Sequence, residues 1–146
     1  MENTALIDIE KNISLKAAST AAMATVAKAE ALGIRINVAI VDRSGVLVAF
    51  LRMSGSPLHS AAIAEDKAYT AVSFGRDTAL WNDILESRTT ALRHGLMNRD
   101  RFAAFGGGLV ILDQGDRIGG IGVSGGTEAQ DIECAQAGLA AIGLGQ

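Results

Sequence analysis

Two overlapping glycine patterns spell the most explicit chemistry in this chain. Gly120-x-Gly122-x-x-Gly125 has the letters of a dinucleotide-binding turn, and Gly122-Val123-Ser124-Gly125-Gly126 those of a G-x-S-x-G nucleophile elbow. Neither is completed by its context. The dinucleotide turn needs a second parallel strand and an acid about 20 residues on, and the sequence ends at Gln146. The elbow needs an acid and then a His beyond the Ser, and no His follows His94. What stays open is backbone chemistry. Ser124, Gly125 and Gly126 precede a helix, where free N–H groups and the helix dipole favour an anion such as a carboxylate or propionate. Simple close packing of the glycines is the alternative.

Cations lie within reach of such a site. Arg52 closes an apolar run, and Lys67 sits on the helix that follows, near Glu65 and Asp66. Surface pairing is the ordinary outcome for such charges, whereas two cations beside the Gly-rich turn would make a carboxylate pocket. Asp131 falls in the first turn of the last helix, where the dipole stabilises an acid in any case. His59, in the irregular turn Ser56-Pro57-Leu58-His59, reads as a solvent-facing helix start, an axial ligand or a general base. His94, near a helix end, is benign there. Two His and one Cys without shared spacing fall short of a tetrahedral zinc site, and Cys134 reads as a core residue.

The elements that must position these groups follow from periodicity and punctuation. Ser14 caps a helix to about Leu32, closed by Gly33. Ile36–Val41 and Val46–Leu51 form a hairpin about Asp42-Arg43-Ser44-Gly45. A helix from Ser60 to about Phe74 is followed by short helices, one capped by Thr78 and one over Thr89–Leu96. Gly106-Gly107-Gly108 leads into a strand, Leu109–Asp113, then a turn and the strand Arg117–Val123. Thr127-Glu128-Ala129-Gln130 has the spacing of a capping box, opening a helix to about Ile142. This order makes a single α+β domain over residues 1–146, within the broad α/β class. The first two strands are nearly continuous in apolar residues, so the sheet should be covered on both faces, by helices or by another subunit. That leans toward a homo-oligomer.

Composition excludes other classes. Hydrophobic residues are 49% and charged residues 20%, so the chain is globular, and aromatics at 4% leave the core to Ala, Ile, Leu and Val. A net charge of −3 and the lack of a basic, aromatic-interleaved patch argue against nucleic acid. No apolar stretch approaches the roughly 20 residues of a membrane helix. A single Cys points to a reducing compartment, and Met1-Glu2-Asn3-Thr4 lacks a basic, apolar leader, so a cytoplasmic protein is expected.

Several segments together resemble the GlcG/HbpS-like proteins, which include the C-terminal domain of the PduO adenosyltransferases. They are Val38–Gly45, Leu51–Ser56, Ile63–Ala71, Gly106–Ile111 and Ile118–Gly126, with Gln130-Asp131 after them. The chain departs from that family at Met53-Ser54-Gly55, where an acidic-Gly step is usual, and at Gly108-Leu109, where Pro often follows the glycines. The resemblance implies a five-stranded antiparallel sheet flanked by helices, assembly from dimers to octamers, and haem binding in some members. The ligand-binding candidates are then Arg52, Lys67, Gly107, Gly108, Ser124, Gly125 and Gly126, with His59 as axial-ligand candidate. Three functions stay open. The first is a binder of haem or another anionic small molecule. The second is a small isomerase, tautomerase or hydrolase acting on a carboxylate-bearing catabolic intermediate, such as an aromatic ring-cleavage product, with Lys67, Glu65 or His59 moving the proton. The third is an oligomeric accessory protein without a ligand.

Overall fold

A computed structural model describes residues 6–145, so the reading of Met1–Thr4 lies outside the described residues. Helix α1 (Leu15–Leu32) starts where the Ser14 hydroxyl accepts the Ala17 N–H at 3.1 Å, and ends at Gly33, whose φ of 71° few other residues adopt cheaply. Strands β1 (Asn37–Asp42) and β2 (Leu47–Arg52) form the first hairpin. Helix α2 (His59–Phe74) leads through a 3-10 turn (Thr78–Leu80) to α3 (Trp81–Glu86) and α4 (Thr90–Met97). Strands β3 (Gly108–Asp113) and β4 (Asp116–Ser124) form the second hairpin, and α5 (Glu128–Ala141) opens with the capping box of Thr127 and Gln130.

The described residues hold a four-stranded antiparallel sheet in the order β2-β1-β4-β3, which corrects the five strands expected from the resemblance. The stretch before α1 makes one backbone bond to the sheet, from Ile13 N–H to the Ile118 carbonyl, before Ser14 turns the chain into its helix. One bond is no ladder.

Helices cover both faces of the central strands. Val38, Ile40, Ile121 and Val123 pack with α1 and α5, while Ala39 and Val41 pack with Ala64, Ala68 and Val72 of α2. The doubly apolar β1 therefore needs no second subunit to explain it. Strand β2, at the sheet edge, stays half exposed despite its apolar composition. Small side chains let α2 sit close: a Cβ on Gly122 would run into the Ala64 carbonyl, and one on Gly120 into that of Ala68. Thr78 does not cap a helix as its sequence position predicts. Its hydroxyl accepts the Gly108 N–H at 2.9 Å, which secures the start of β3.

Candidate functional site

The inward stripe of α2 runs Ser60, Ala64, Lys67, Ala68, Ala71, so the helical period carries a lysine into a row of alanines. Because α2 presses on the glycines of β4, the Lys67 stem travels along apolar surface and its ammonium emerges beyond the strand. There Nζ donates to the Val123 carbonyl at 2.8 Å and pairs with Asp131 Oδ2 at 3.2 Å, both side chains almost wholly buried. The Phe105 ring lies 4.8 Å from the ammonium. Asp131 Oδ1 accepts the Gly126 N–H at 2.9 Å, and the neighbouring Gly125 N–H helps to hold its carboxyl down. Burial pushes Lys67 below the usual lysine range against the pull of Asp131, and pushes Asp131 up against the pull of Lys67.

Three sequence readings change here. The N–H cradle at Gly125 and Gly126 exists, but the anion in it is the chain's own Asp131. Gly107 and Gly108 are occupied by packing: a Cβ on Gly107 would stand 2.6 Å from Lys67 Nζ, and one on Gly108 2.6 Å from the Lys67 carbonyl. Nor do Lys67, Glu65 and His59 converge. Glu65 is two positions from Lys67 and so diverges from it around the helix, and His59 lies about 12 Å away along the axis. Burial pushes the Cys134 thiol up to about 11, as befits a packed core thiol.

A second polar centre lies at the same end of the sheet, at the start of α2. Asn37 stands in register with Arg52 on one side and Ser124 on the other, so three adjacent strands each contribute one polar residue. Arg52 Nη1 donates to Ser56 Oγ at 2.8 Å, and Asn37 Nδ2 donates to the same oxygen at 3.1 Å. Asn37, Ser56, Ser60 and Ser124 are all buried. Among the described residues Asn37 Oδ1 has no partner, which is costly for a fully buried amide. Arg35 Nη1 holds the same loop through the Ser54 carbonyl at 3.0 Å. Helix α2 opens without a side-chain cap, and Leu58 and His59 are exposed beside this centre.

Arg52, Ser124 and His59 thus lie at one end of the sheet, and Lys67 is sealed behind it. Sequence reasoning missed Asp131 as the partner of Lys67, and missed Asn37 altogether. The signal for the first was the lysine inside the Ala64–Ala68–Ala71 stripe. For the second it was a polar residue heading an otherwise apolar strand. Among the described residues no group of three His, Cys, Asp or Glu side chains could hold a metal ion, and no helix is long and apolar enough to cross a membrane.

Comparison with known proteins adds to this geometry. The family described as "Haem degrading protein HbpS-like" matches residues 13–140. The corrinoid adenosyltransferase PduO of Salmonella typhimurium is 36% identical over 124 residues, 84% of this chain; the match spans only 36% of PduO. The crystal structure of a PduOC–haem complex superposes with a TM-score of 0.84 at 32% identity, covering 92% of this chain and 99% of that one. The crystal structure of HbpS gives a TM-score of 0.83 at 31% identity, covering 96% of each chain. With a family match along most of its length and relatives that share its fold, this chain belongs to the HbpS-like family.

Proposed function

We propose that this protein binds a small anionic ligand, haem foremost, at the end of the sheet where Arg52, Asn37 and Ser124 meet. The observation that carries the reading is the unpartnered Asn37 Oδ1, buried one strand from a guanidinium already braced by Ser56. A satisfied core has no use for such a group. A donor on a bound ligand, or a water held with it, would complete it. The donor set fits haem: Arg52 and Arg35 brace one loop and suit propionates, Leu58 offers exposed apolar surface, and the exposed imidazole of His59 suits axial ligation. Bound there, haem would supply iron chemistry; the chain's part is to bind and orient it. The PduOC structure that holds haem supports this choice of ligand.

The test is a haem titration followed by absorbance. A saturable Soret shift is expected, lost in His59→Ala and weakened about tenfold in Arg52→Ala. No shift in the parent protein, or an unchanged shift in both variants, would sink the reading. The exposed apolar side chains Leu80, Leu92 and Met97, on a helical segment that buries little of itself, support a homo-oligomer as part of the same proposal. The enzyme reading is favoured by one observation, the lowered lysine beside an acid. Turnover of an unsaturated carboxylate, abolished in a folded Lys67→Met variant, would move it ahead.

A further inference from the structure

We infer that a second ligand site, for a planar aromatic carboxylate of one or two rings, lies at the other end of α2. Four of the chain's six aromatic side chains gather there. Tyr69, Phe74 and Phe102 line a groove of about 380 Å³, within the range of small-molecule sites. Trp81 packs edge-on behind it, 4.8 Å from the Phe74 ring and 4.9 Å from Phe102. Phe74 remains 42% exposed although it meets two other rings, so apolar aromatic surface is left facing the groove. Faces of this kind receive a flat ring by offset or edge-on stacking.

The polar half of the groove carries Arg99 and Arg101 with Asp100, and among the described residues Arg99 makes no ion pair. The Arg101 guanidinium lies 3.7 Å over the Tyr69 ring and pairs through Nε with Asp66 Oδ1 at 3.6 Å, which leaves its terminal nitrogens as the fork. Arg101 takes a left-handed φ of 61°, which a side-chain-bearing residue adopts at a cost. The conformation is fastened to α2 by Thr70, whose hydroxyl donates to the Arg101 carbonyl at 2.9 Å and accepts the Ala103 N–H at 3.0 Å. The strained backbone and its anchor hold a guanidinium beside an aromatic floor. A guanidinium fork recognises a carboxylate through paired N–H donors, and the adjacent rings recognise the flat body that carries it. Neither feature depends on the Arg52 centre.

Trp81 is the chain's sole tryptophan, so its indole N–H gives one resonance in a proton–nitrogen correlation spectrum. Titration of the intact protein with 2-naphthoate should move that resonance saturably. The neutral isostere 2-naphthylmethanol should bind at least about tenfold more weakly, and Arg99→Gln and Arg101→Gly should each weaken 2-naphthoate by about tenfold. Glycine at 101 keeps the left-handed backbone accessible, so that variant removes the guanidinium without forcing the loop to move. A still resonance with 2-naphthoate, equal binding of the neutral isostere, or indifference to both arginine variants would overturn the inference.

Discussion

The two polar centres that share the end of β4 differ in one respect, and it separates architecture from function. Around Lys67 every strong group is answered from within: the ammonium by Val123 and Asp131, the carboxylate by Lys67 and Gly126. Around Asn37 the accounts do not close, because Oδ1 is buried without a partner among the described residues and Arg52 beside it stays exposed. A fully satisfied buried network rigidifies a core, whereas a partly satisfied one is costly unless something outside the chain completes it. Buried charge alone is therefore a poor guide to a ligand site; unanswered polarity is the better one.

The sharpest way to break this contrast is to remove half of the inner pair. Lys67→Met should cost about 3–5 kcal/mol, because it leaves the Asp131 carboxylate buried and uncompensated. Adding Asp131→Asn should recover much of that loss, since the amide oxygen can still accept from Gly126. Urea unfolding of the single and double variants checks this, and strictly additive losses would show that the pair is not what holds this corner.

A smaller effect tests which term wins inside the pair. Asp131 is raised above 3.8 by burial, so the folded state holds its proton to higher pH than the unfolded state does. Stability relative to the Lys67→Met/Asp131→Asn variant should therefore fall as pH rises from 3.8 through the folded value. Lys67 is lowered below 10.5, so the same difference should recover as pH climbs from its folded value to 10.5. A difference that instead grows across the acid window would mean that attraction outweighs desolvation.

The smallest change in stability is expected at Asn37. Asn37→Val gives up the bond to Ser56 but also removes an unanswered acceptor, so ligand-free stability should stay within about 1 kcal/mol of the parent. Haem affinity should fall about tenfold in the same variant. A large loss of stability without loss of affinity would make Asn37 an ordinary core residue and erase the contrast.

Much of the fold is legible in local sequence. Ser14, Gly33 and the Thr127–Gln130 box mark helix ends because capping is a matter of a few neighbouring residues. The hairpins follow from apolar runs on either side of short turns. Thr78 shows where such reading stops: its hydroxyl was free to cap a helix, but a glycine 30 residues away claimed it. Register across strands decides the outer centre in the same way. Nothing local says that Asn37 lies opposite both Arg52 and Ser124, or that Tyr69, Phe74 and Phe102 line one groove with Trp81 packed behind it.

The amino-acid sequence alone determined the order of the elements, the small-residue faces that let α2 approach the sheet, and the residue types at the sheet's end. These rest on propensity and spacing, which act over a turn or two of chain. Only the tertiary structure decided that Asp131 fills the glycine cradle, that Lys67 is sealed behind it, and that Asn37 is left with an unmet acceptor. Those outcomes depend on which side chain reaches a shared point first across distances of tens of residues, and burial, not local preference, sets the energy of each choice.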